Sequence, residues 1–371
     1  MAGGCLRVNL VAAVNPEGSA SSGVRSYVFT LARELVSLGA EVCVLGYGPR
    51  VKYERTFEFI SVTSKVSRAY EYTFALARFL KRTHVLEGLV HGNRPDDMLP
   101  FHLKAPFLPS VLTMHGVHGL HVRAKHGRLR ATAYSIAEKR SLNHVRAVIC
   151  VSRDTFLYYS HRYPRFAGKM QVIPAGVDMK LFRLRSREEA RARLRLPEGN
   201  RIAAFIGRLE PEKDPMRVVR DFLSLSEAHR DVGLVIVGAG SLAAEIRRVA
   251  GRDSGRIRLL DPMPQEELAW LLSAADLLVV ASRSEGLPTV AIEALASGIP
   301  VVATPVGILP QVLNAGTNGF LLGGSSQLGP LMEKALFEVN WSGEACRASV
   351  STFGWDCIAP AILEVYRAIS A

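Results

Sequence analysis

Two carboxylates stand eight positions apart in the stretch Ser282-Arg-Ser-Glu285-Gly-Leu-Pro-Thr-Val-Ala-Ile-Glu293-Ala-Leu-Ala296. Glu285 falls in a loop after an apolar strand, and Glu293 about two turns into the helix that follows. At 100° per residue, eight steps return near the same face. Both acids can then flank a ligand at the helix N-terminus. There the backbone amides of Leu287 and Thr289, on either side of Pro288, suit a phosphate. The plainer alternative is a pair of acids answering the helix dipole. That alternative does not explain Ala-Ile-Glu-Ala-Leu, an apolar context in which an unpaired carboxylate is costly.

A second group of charges precedes it. Ile206-Gly207-Arg208-Leu-Glu-Pro-Glu-Lys213 follows an apolar strand. Ligands of open α/β sheets bind at the carboxyl ends of strands. Arg208 can fork onto phosphate oxygens, and Lys213 can add a point charge. A solvated loop with Arg–Glu pairs is the alternative. His115 ends another strand, Leu112-Thr-Met-His115-Gly116, and Asn93 follows Val90-His91-Gly92. A lone histidine at a strand end is more often structural than catalytic, and Asn93 is a candidate for the acceptor side. Gly238-Ala-Gly-Ser-Leu-Ala243 matches G-x-G-x-x-A, with Asp261 ending the next strand. This combination would support a dinucleotide site, except that the fingerprint belongs after the first strand of its domain and here follows the second. A tight turn with close helix-to-sheet packing is the structural alternative.

Short apolar strands separated by amphipathic helices must position these groups. The strands of a first series are Leu6–Val14, Glu41–Leu45, Gly88–His91, Ser110–His115, Ala147–Val151 and Met170–Ile173. A second series runs through Ile202–Ile206, Leu234–Val237, Ile257–Leu260, Leu277–Ala281 and Pro300–Ala303. Such alternation predicts parallel sheets covered on both faces. Two series predict two doubly wound, Rossmann-like domains, and 371 residues are enough for both. The boundary is placed at 178, giving residues 1–178 and 179–354, with a linker over Asp178–Asn200 and a closing amphipathic helix in 355–371.

Composition narrows the function classes. At 48% hydrophobic and 22% charged residues the chain is of ordinary globular make-up. Its 5 cysteines form no C-x-x-C pair, which argues against a disulfide framework or a cysteine zinc site and fits a reducing, cytoplasmic setting. No apolar run is long enough to span a membrane, and Met1–Val14 reads as a first strand rather than a signal. The net charge of +12 is unevenly spread: residues 1–178 hold 24 Lys and Arg against 12 Asp and Glu, and the remainder is balanced at 22 against 22. The first half therefore suits an anionic partner: a membrane, a nucleic acid or a phosphorylated substrate.

The phrases E-x7-E, EGLP and EALASGIPVVA, with the preceding G-R-x4-K, resemble the retaining glycosyltransferases of family 4, which have the GT-B fold. Other pieces fall in the family's order. Ser22-Gly23-Val24 is similar to its N-terminal glycine loop, and Thr113-Met-His115-Gly116 to its t-x-H-G strand end. Val148–Ser152, Val172–Asp178, Gly316–Leu321 and Phe353-Gly-Trp355 match further segments. The family's double glycine is Ser22-Gly23 here, its Asn before Gly176 is Ala175, and its Glu near Gly307 is Gln311.

The resemblance implies two such domains facing across a cleft and a hexosyltransferase that moves a sugar, with retention, from a nucleotide-diphosphate sugar to an acceptor hydroxyl. It implies a donor site of Gly23, Gly207, Arg208, Lys213, Met263, Glu285, Leu287, Pro288, Thr289 and Glu293. Arg208 and Lys213 would hold the diphosphate, Glu293 the ribose, and Glu285 and His115 the transferred sugar, with Met263 against the base. With no D-x-D or histidine cluster, no metal site and no cofactor are expected, and the basic residues would replace a divalent ion. A lipid or lipid-linked acceptor at the inner membrane face is a further expectation. It rests on Arg78, Lys81 and Arg82 beside Phe74, Leu76, Phe79 and Leu80, and on Arg123, Lys125, Arg128 and Arg130. Two other classes stay open: an NAD(P)-dependent dehydrogenase built on Gly238–Ala243, and a basic nucleic-acid-binding protein. The second lacks an aromatic platform or a reading motif, so no nucleic acid is expected.

Overall fold

The computed structural model describes residues 5–17, 23–49, 56–67, 69–82, 87–251, 255–323 and 327–370, without the side chains of 69 and 118–130. The chain packs as two units. One holds the described residues up to Gly176 together with Trp355–Ser370, and the other runs from Val177 to Gly354.

The first unit is a seven-stranded sheet of β1 (Arg7–Val11), β2 (Glu41–Gly46), β3 (Glu58–Ser61), β4 (Leu89–Gly92), β5 (Ser110–Met114), β6 (Ala147–Cys150) and β7 (Met170–Val172). Its spatial order is β3-β2-β1-β4-β5-β6-β7. Every pairing is parallel. The central strands are apolar along their length because both faces are covered: Val8, Leu10, Val11, Val90, Val111 and Leu112 are all buried. The helix Gly23–Ser37 turns Tyr27, Val28, Leu31 and Leu35 inward at helical spacing. Each such fully buried side chain contributes about 1.5–3 kcal/mol over leaving it in water. The closing helix Trp355–Ser370 buries Trp355, Ile358, Ile362 and Tyr366 in this same unit.

The second unit has six parallel strands: β8 (Arg201–Ile206), β9 (Val232–Val237), β10 (Ile257–Leu260), β11 (Leu277–Val280), β12 (Val301–Ala303) and β13 (Gly319–Leu321). Their order is β10-β9-β8-β11-β12-β13. In both sheets the order reverses beside the first strand, between β1 and β4 and between β8 and β11. A crevice opens at such a point on the carboxyl side. The loops that carry Arg208 and Glu285 leave β8 and β11, so the topology puts them side by side.

Two strands, β3 and β13, escape the alternation pattern. Both are edge strands of four and three residues, too short to stand out as apolar runs, and Gly319–Leu321 reads in the sequence as part of a turn. The linker Asp178–Asn200 contains a helix, Arg187–Leu194. Its buried Arg191 donates to Ala274 O at 3.1 Å and to Asp276 Oδ2 at 2.7 Å, which ties the helix to the second unit.

The helix Ala69–Arg82 corrects the expected membrane-facing stripe. Leu76 and Leu80 belong to the core of the first unit, at 0% and 3% exposure, and only Tyr70 and Phe74 of its large apolar residues are exposed. A helix on a sheet spends its apolar face on that sheet first. The side chains of Arg123, Lys125, Arg128 and Arg130 lie outside the described residues. Among the described residues, no helix is long and apolar enough to cross a membrane.

Candidate active site

In the second unit, Gly207 follows β8, and the turn that follows it rests on the strand end beside it. Gly207 N–H donates to Val237 O at 3.0 Å, and Leu209 N–H to Ala239 O at 2.9 Å. Gly238 and Gly240 make this approach possible. A Cβ at Gly238 would lie 1.9 Å from Gly207 O, and one at Gly240 would lie 2.4 Å from Leu209 O. The G-x-G turn is therefore filled by the chain's own backbone. Its hydroxyl neighbour Ser241 donates to Glu210 Oε2 at 2.7 Å, a further tie between the same two loops.

The acidic loop closes on the basic one. Lys213 Nζ pairs with Glu285 Oε1, and Ser282 Oγ donates to that same oxygen at 2.7 Å. Arg283 N–H donates to Glu212 O at 2.8 Å, and its guanidinium reaches Asp214 Oδ2 at 3.1 Å. From behind, Thr304 Oγ1 donates to Ser282 O at 2.6 Å. Gly307 sits at φ +56°, and a Cβ there would meet Gly286 O at 2.7 Å. The loop 282–288 is thus clamped from β8 on one side and from β12 on the other. Arg208 is more than half exposed and pairs with Glu212.

Glu293 is the fifth residue of the helix Thr289–Ala296. This corrects the sequence geometry: Glu285 precedes the helix, so the eight-residue angular argument does not relate the two acids, and Glu293 lies little more than one turn in. Arg347 holds the far end of this helix, donating to Ala296 O at 2.6 Å. Glu293 is 8% exposed and accepts no hydrogen bond from a described residue. Burial pushes its carboxyl up to about 7. Of the two expected amide donors, Thr289 N–H is already spent on Leu287 O at 2.9 Å, in the tight turn that Pro288 introduces. The Leu287 amide makes no hydrogen bond to a described residue. Met263, beyond β10, and Leu287 and Val290 each pack against the core cluster of this unit.

In the first unit, His115 follows β5. Its Nε2 lies 2.8 Å from Asn93 Oδ1, and its ring meets Tyr27 edge-on at 4.8 Å. Asn93 lies buried behind His115, which corrects its expected place on an acceptor surface. Tyr27 leads into a buried polar chain: Thr113 Oγ1 lies 3.5 Å from Tyr27 Oη and 2.6 Å from His91 Nε2. His91 Nδ1 in turn contacts Tyr366 Oη. Burial lowers His91 to about 3 and raises Tyr27 to about 12, so both are neutral near pH 7. Gly23 is exposed at the start of its helix, while Ser22 and the loop before it lie outside the described residues.

Two family models divide the sequence between them. Residues 21–181 match the one described as Glycosyltransferase Family 4, and residues 186–328 match Glycosyl transferases group 1. The chain belongs to glycosyltransferase family 4. The enzyme is 25% identical over 385 residues to a D-inositol 3-phosphate glycosyltransferase of Corynebacterium glutamicum, covering 94% of this chain and 92% of that protein. It is 35% identical over 213 residues to the protein of the same name from Mycolicibacterium paratuberculosis, covering 54% of this chain and 47% of that protein. Among solved structures it is similar to sucrose-phosphate synthase from Thermosynechococcus elongatus, with a TM-score of 0.82, 24% identity and 98% of each chain covered. It is also similar to Anabaena HepE in complex with UDP and glucose, with a TM-score of 0.77, 17% identity, and 98% and 99% covered. The fold is the GT-B fold of these glycosyltransferases.

Family membership overturns the dehydrogenase and nucleic-acid readings, and the packing of Gly238 and Gly240 on the Gly207–Leu209 backbone explains the glycine motif that suggested the former. In this glycosyltransferase, folding pairs Lys213 with Glu285 across adjoining loops, and Arg208 stands on the same loop as Lys213. Sequence reasoning missed Ser282, Arg283 and Asp214 as supports of these loops, and Tyr27 as the ring beside His115 in the first unit. The spacing Ser282-x-x-Glu285 is a legible signal for one of them. Arg283 and Asp214 are 69 positions apart and carry none. Among the described residues, no group of three or more His, Cys, Asp or Glu side chains is set to hold a metal ion.

Proposed function

We propose that the enzyme transfers a sugar, with retention and without a metal, from a nucleotide-diphosphate sugar to an acceptor hydroxyl. The observation that carries this reading is the buried, unpartnered Glu293 in the helix that follows the Glu285 loop. A buried carboxylate with no internal donor is suited to hydroxyls that arrive with a ligand, and we assign it the ribose. Arg208 and Lys213 take the diphosphate, where fixed positive charge stabilises the leaving group as its negative charge grows. The free Leu287 amide adds a donor. Glu285, held in place by Ser282 and Lys213, takes hydroxyls of the transferred sugar, His115 takes another, and Met263 lies against the base. Gly23, Gly207, Pro288 and Thr289 shape the donor site. All five cysteines are free thiols, in keeping with a cytoplasmic reaction.

For the acceptor we propose a phosphorylated polyol. The relatives named for D-inositol 3-phosphate carry this reading, and so does the excess positive charge in residues 1–178. An anionic lipid surface is the second reading, favoured by exposed Tyr70, Phe74, Leu103 and Phe107 close in sequence to Arg78, Lys81, Arg82 and Lys104. A thermal-shift panel of UDP-, GDP- and ADP-sugars tests the donor. One class should stabilise the protein, and Glu293→Ala should abolish that shift. Equal shifts in the variant would remove Glu293 from the site.

A further inference from the structure

We propose that Asp214 is a positioning residue for Lys213: its left-handed backbone, locked by Arg283, aims the Lys213 ammonium at the Glu285 loop and the diphosphate. The proposal rests on the assignment of Lys213 to the diphosphate.

Asp214 immediately precedes the helix Pro215–Ala228, yet its φ and ψ are both +48°. An aspartate at a helix start ordinarily has extended backbone and caps the first turn with its carboxylate. Here the carboxylate makes no cap bond, and the backbone carbonyl accepts from Arg217 N–H at 3.1 Å. Among the described residues only one other non-glycine, Arg195, has a positive φ, and it ends a helix, where a left-handed residue is common. The Asp214 carboxylate is spent on Arg283 instead: Nε and a terminal nitrogen donate to Oδ2 at 3.3 and 3.1 Å. Arg283 is itself fixed by its N–H on Glu212 O at 2.8 Å. Pro215 keeps its predecessor out of the right-handed helical region, so residue 214 is either extended or left-handed. That choice sets how the chain passes from Lys213 into a helix anchored by the buried Val218, Val219 and Phe222. With the left-handed choice, and with Lys213 N–H closing a turn on Glu210 O at 2.9 Å, Nζ meets Glu285. An extended residue 214 would redirect that turn and break the pair. Backbone held in a disfavoured region by its surroundings is typical of ligand clamps.

Calorimetry with inorganic pyrophosphate, a diphosphate without base or sugar, tests the placement. Lys213→Met should weaken binding about tenfold or more, as for one lost charged hydrogen bond. Asp214→Val puts a β-branched residue where left-handed backbone is needed and should weaken binding by a similar factor. The double variant should lose no more than Lys213→Met alone, because Asp214 acts only through Lys213. Asp214→Asn tolerates the left-handed region and keeps an acceptor for Arg283, so it should bind within about threefold of wild type. Wild-type affinity in Asp214→Val, additive losses in the double variant, or an Asp214→Asn as weak as Asp214→Val overturns the proposal. If Asp214→Val fails to fold, Asp214→Gly decides. Glycine takes the left-handed region without strain but has no carboxylate for Arg283, and affinity should still fall about threefold, the scale of one exposed ion pair. Wild-type affinity there overturns the proposal. Urea unfolding reads the Lys213–Glu285 pair with no ligand present. Lys213→Met should lower the midpoint in the wild-type background and leave it unmoved beside Asp214→Val or Asp214→Gly; equal shifts in both backgrounds overturn the proposal. A wild type that shows this urea coupling but binds no pyrophosphate would instead overturn the diphosphate reading, with the placing of Lys213 by Asp214 upheld.

Discussion

At the scale of single residues, Glu293 joins stability to ligand binding through one proton. Its carboxyl is raised from 4.5 to about 7 by burial. The folded state holds this proton after the unfolded state has lost it. The residue therefore makes the free protein less stable as pH rises from 4.5 to about 7, by on the order of 3 kcal/mol in total, and contributes no further slope above that. Chemical denaturation of Glu293→Gln across this window should show that slope removed. Ribose hydroxyls favour the ionised form, so donor binding near pH 6 should release a proton, visible as a buffer-dependent heat in calorimetry, and the variant should release none. Lys213 and Arg208 are more exposed than Glu293. Lys213→Met should lower turnover by about 10²–10³, the scale for removing one charge-stabilising donor. Arg208→Ala should do the same while shifting stability by less than about 1 kcal/mol, because its pair with Glu212 is solvent-exposed. Full turnover in both variants would place the diphosphate elsewhere.

Elements explain why these side chains stay where they are. The loop after β8 has no regular structure of its own, and it holds its shape by lying on the G-x-G turn after β9. Gly240→Ala would drive a methyl group into Leu209 O. The backbone must then shift, at a cost of about 1–3 kcal/mol. Because the shifted segment carries Arg208, activity should fall by more than the change in melting temperature accounts for. A variant with lowered stability but wild-type kcat/KM would show that the turn supports the fold alone. The strands and helices themselves were legible in the sequence, since continuous apolar runs follow from covering a sheet on both faces and period-3.6 apolar patterns from laying helices against it. The edge strands β3 and β13 were not, being too short to stand out as apolar runs. The Arg283–Asp214 clasp was not legible either, because a contact between loops so far apart in sequence exists only once β8 and β11 lie side by side.

For the whole molecule, the uneven charge makes the acceptor question measurable. All of the excess charge lies in residues 1–178, and with Leu76 and Leu80 in the core the basic helix Ala69–Arg82 keeps only a narrow apolar edge. Vesicle flotation at low salt should therefore leave the protein unbound to neutral liposomes and at most weakly bound to anionic ones. Transfer to a phosphorylated polyol should weaken as ionic strength rises and the Debye length shortens from about 10 Å at 0.1 M to about 3 Å at 1 M. Firm, salt-reversible flotation with anionic vesicles would turn the acceptor reading toward lipid.

By itself the sequence determined two parallel α/β sheets, the positions of most strands, the family through motifs spread along nearly the whole chain, and the residue types at the strand ends. Those depend on local spacing and on apolar pattern, which a linear chain displays in full. Only the tertiary structure decided that Gly238 and Gly240 serve the arginine loop, that Thr289 has no amide to spare, that Asn93 sits behind His115, and that Leu76 and Leu80 face the core. Each of these is settled by which backbone carbonyl or sheet face lies within a few ångströms. That neighbour comes from strand order and parallel register, which bring together residues that stand far apart in the sequence.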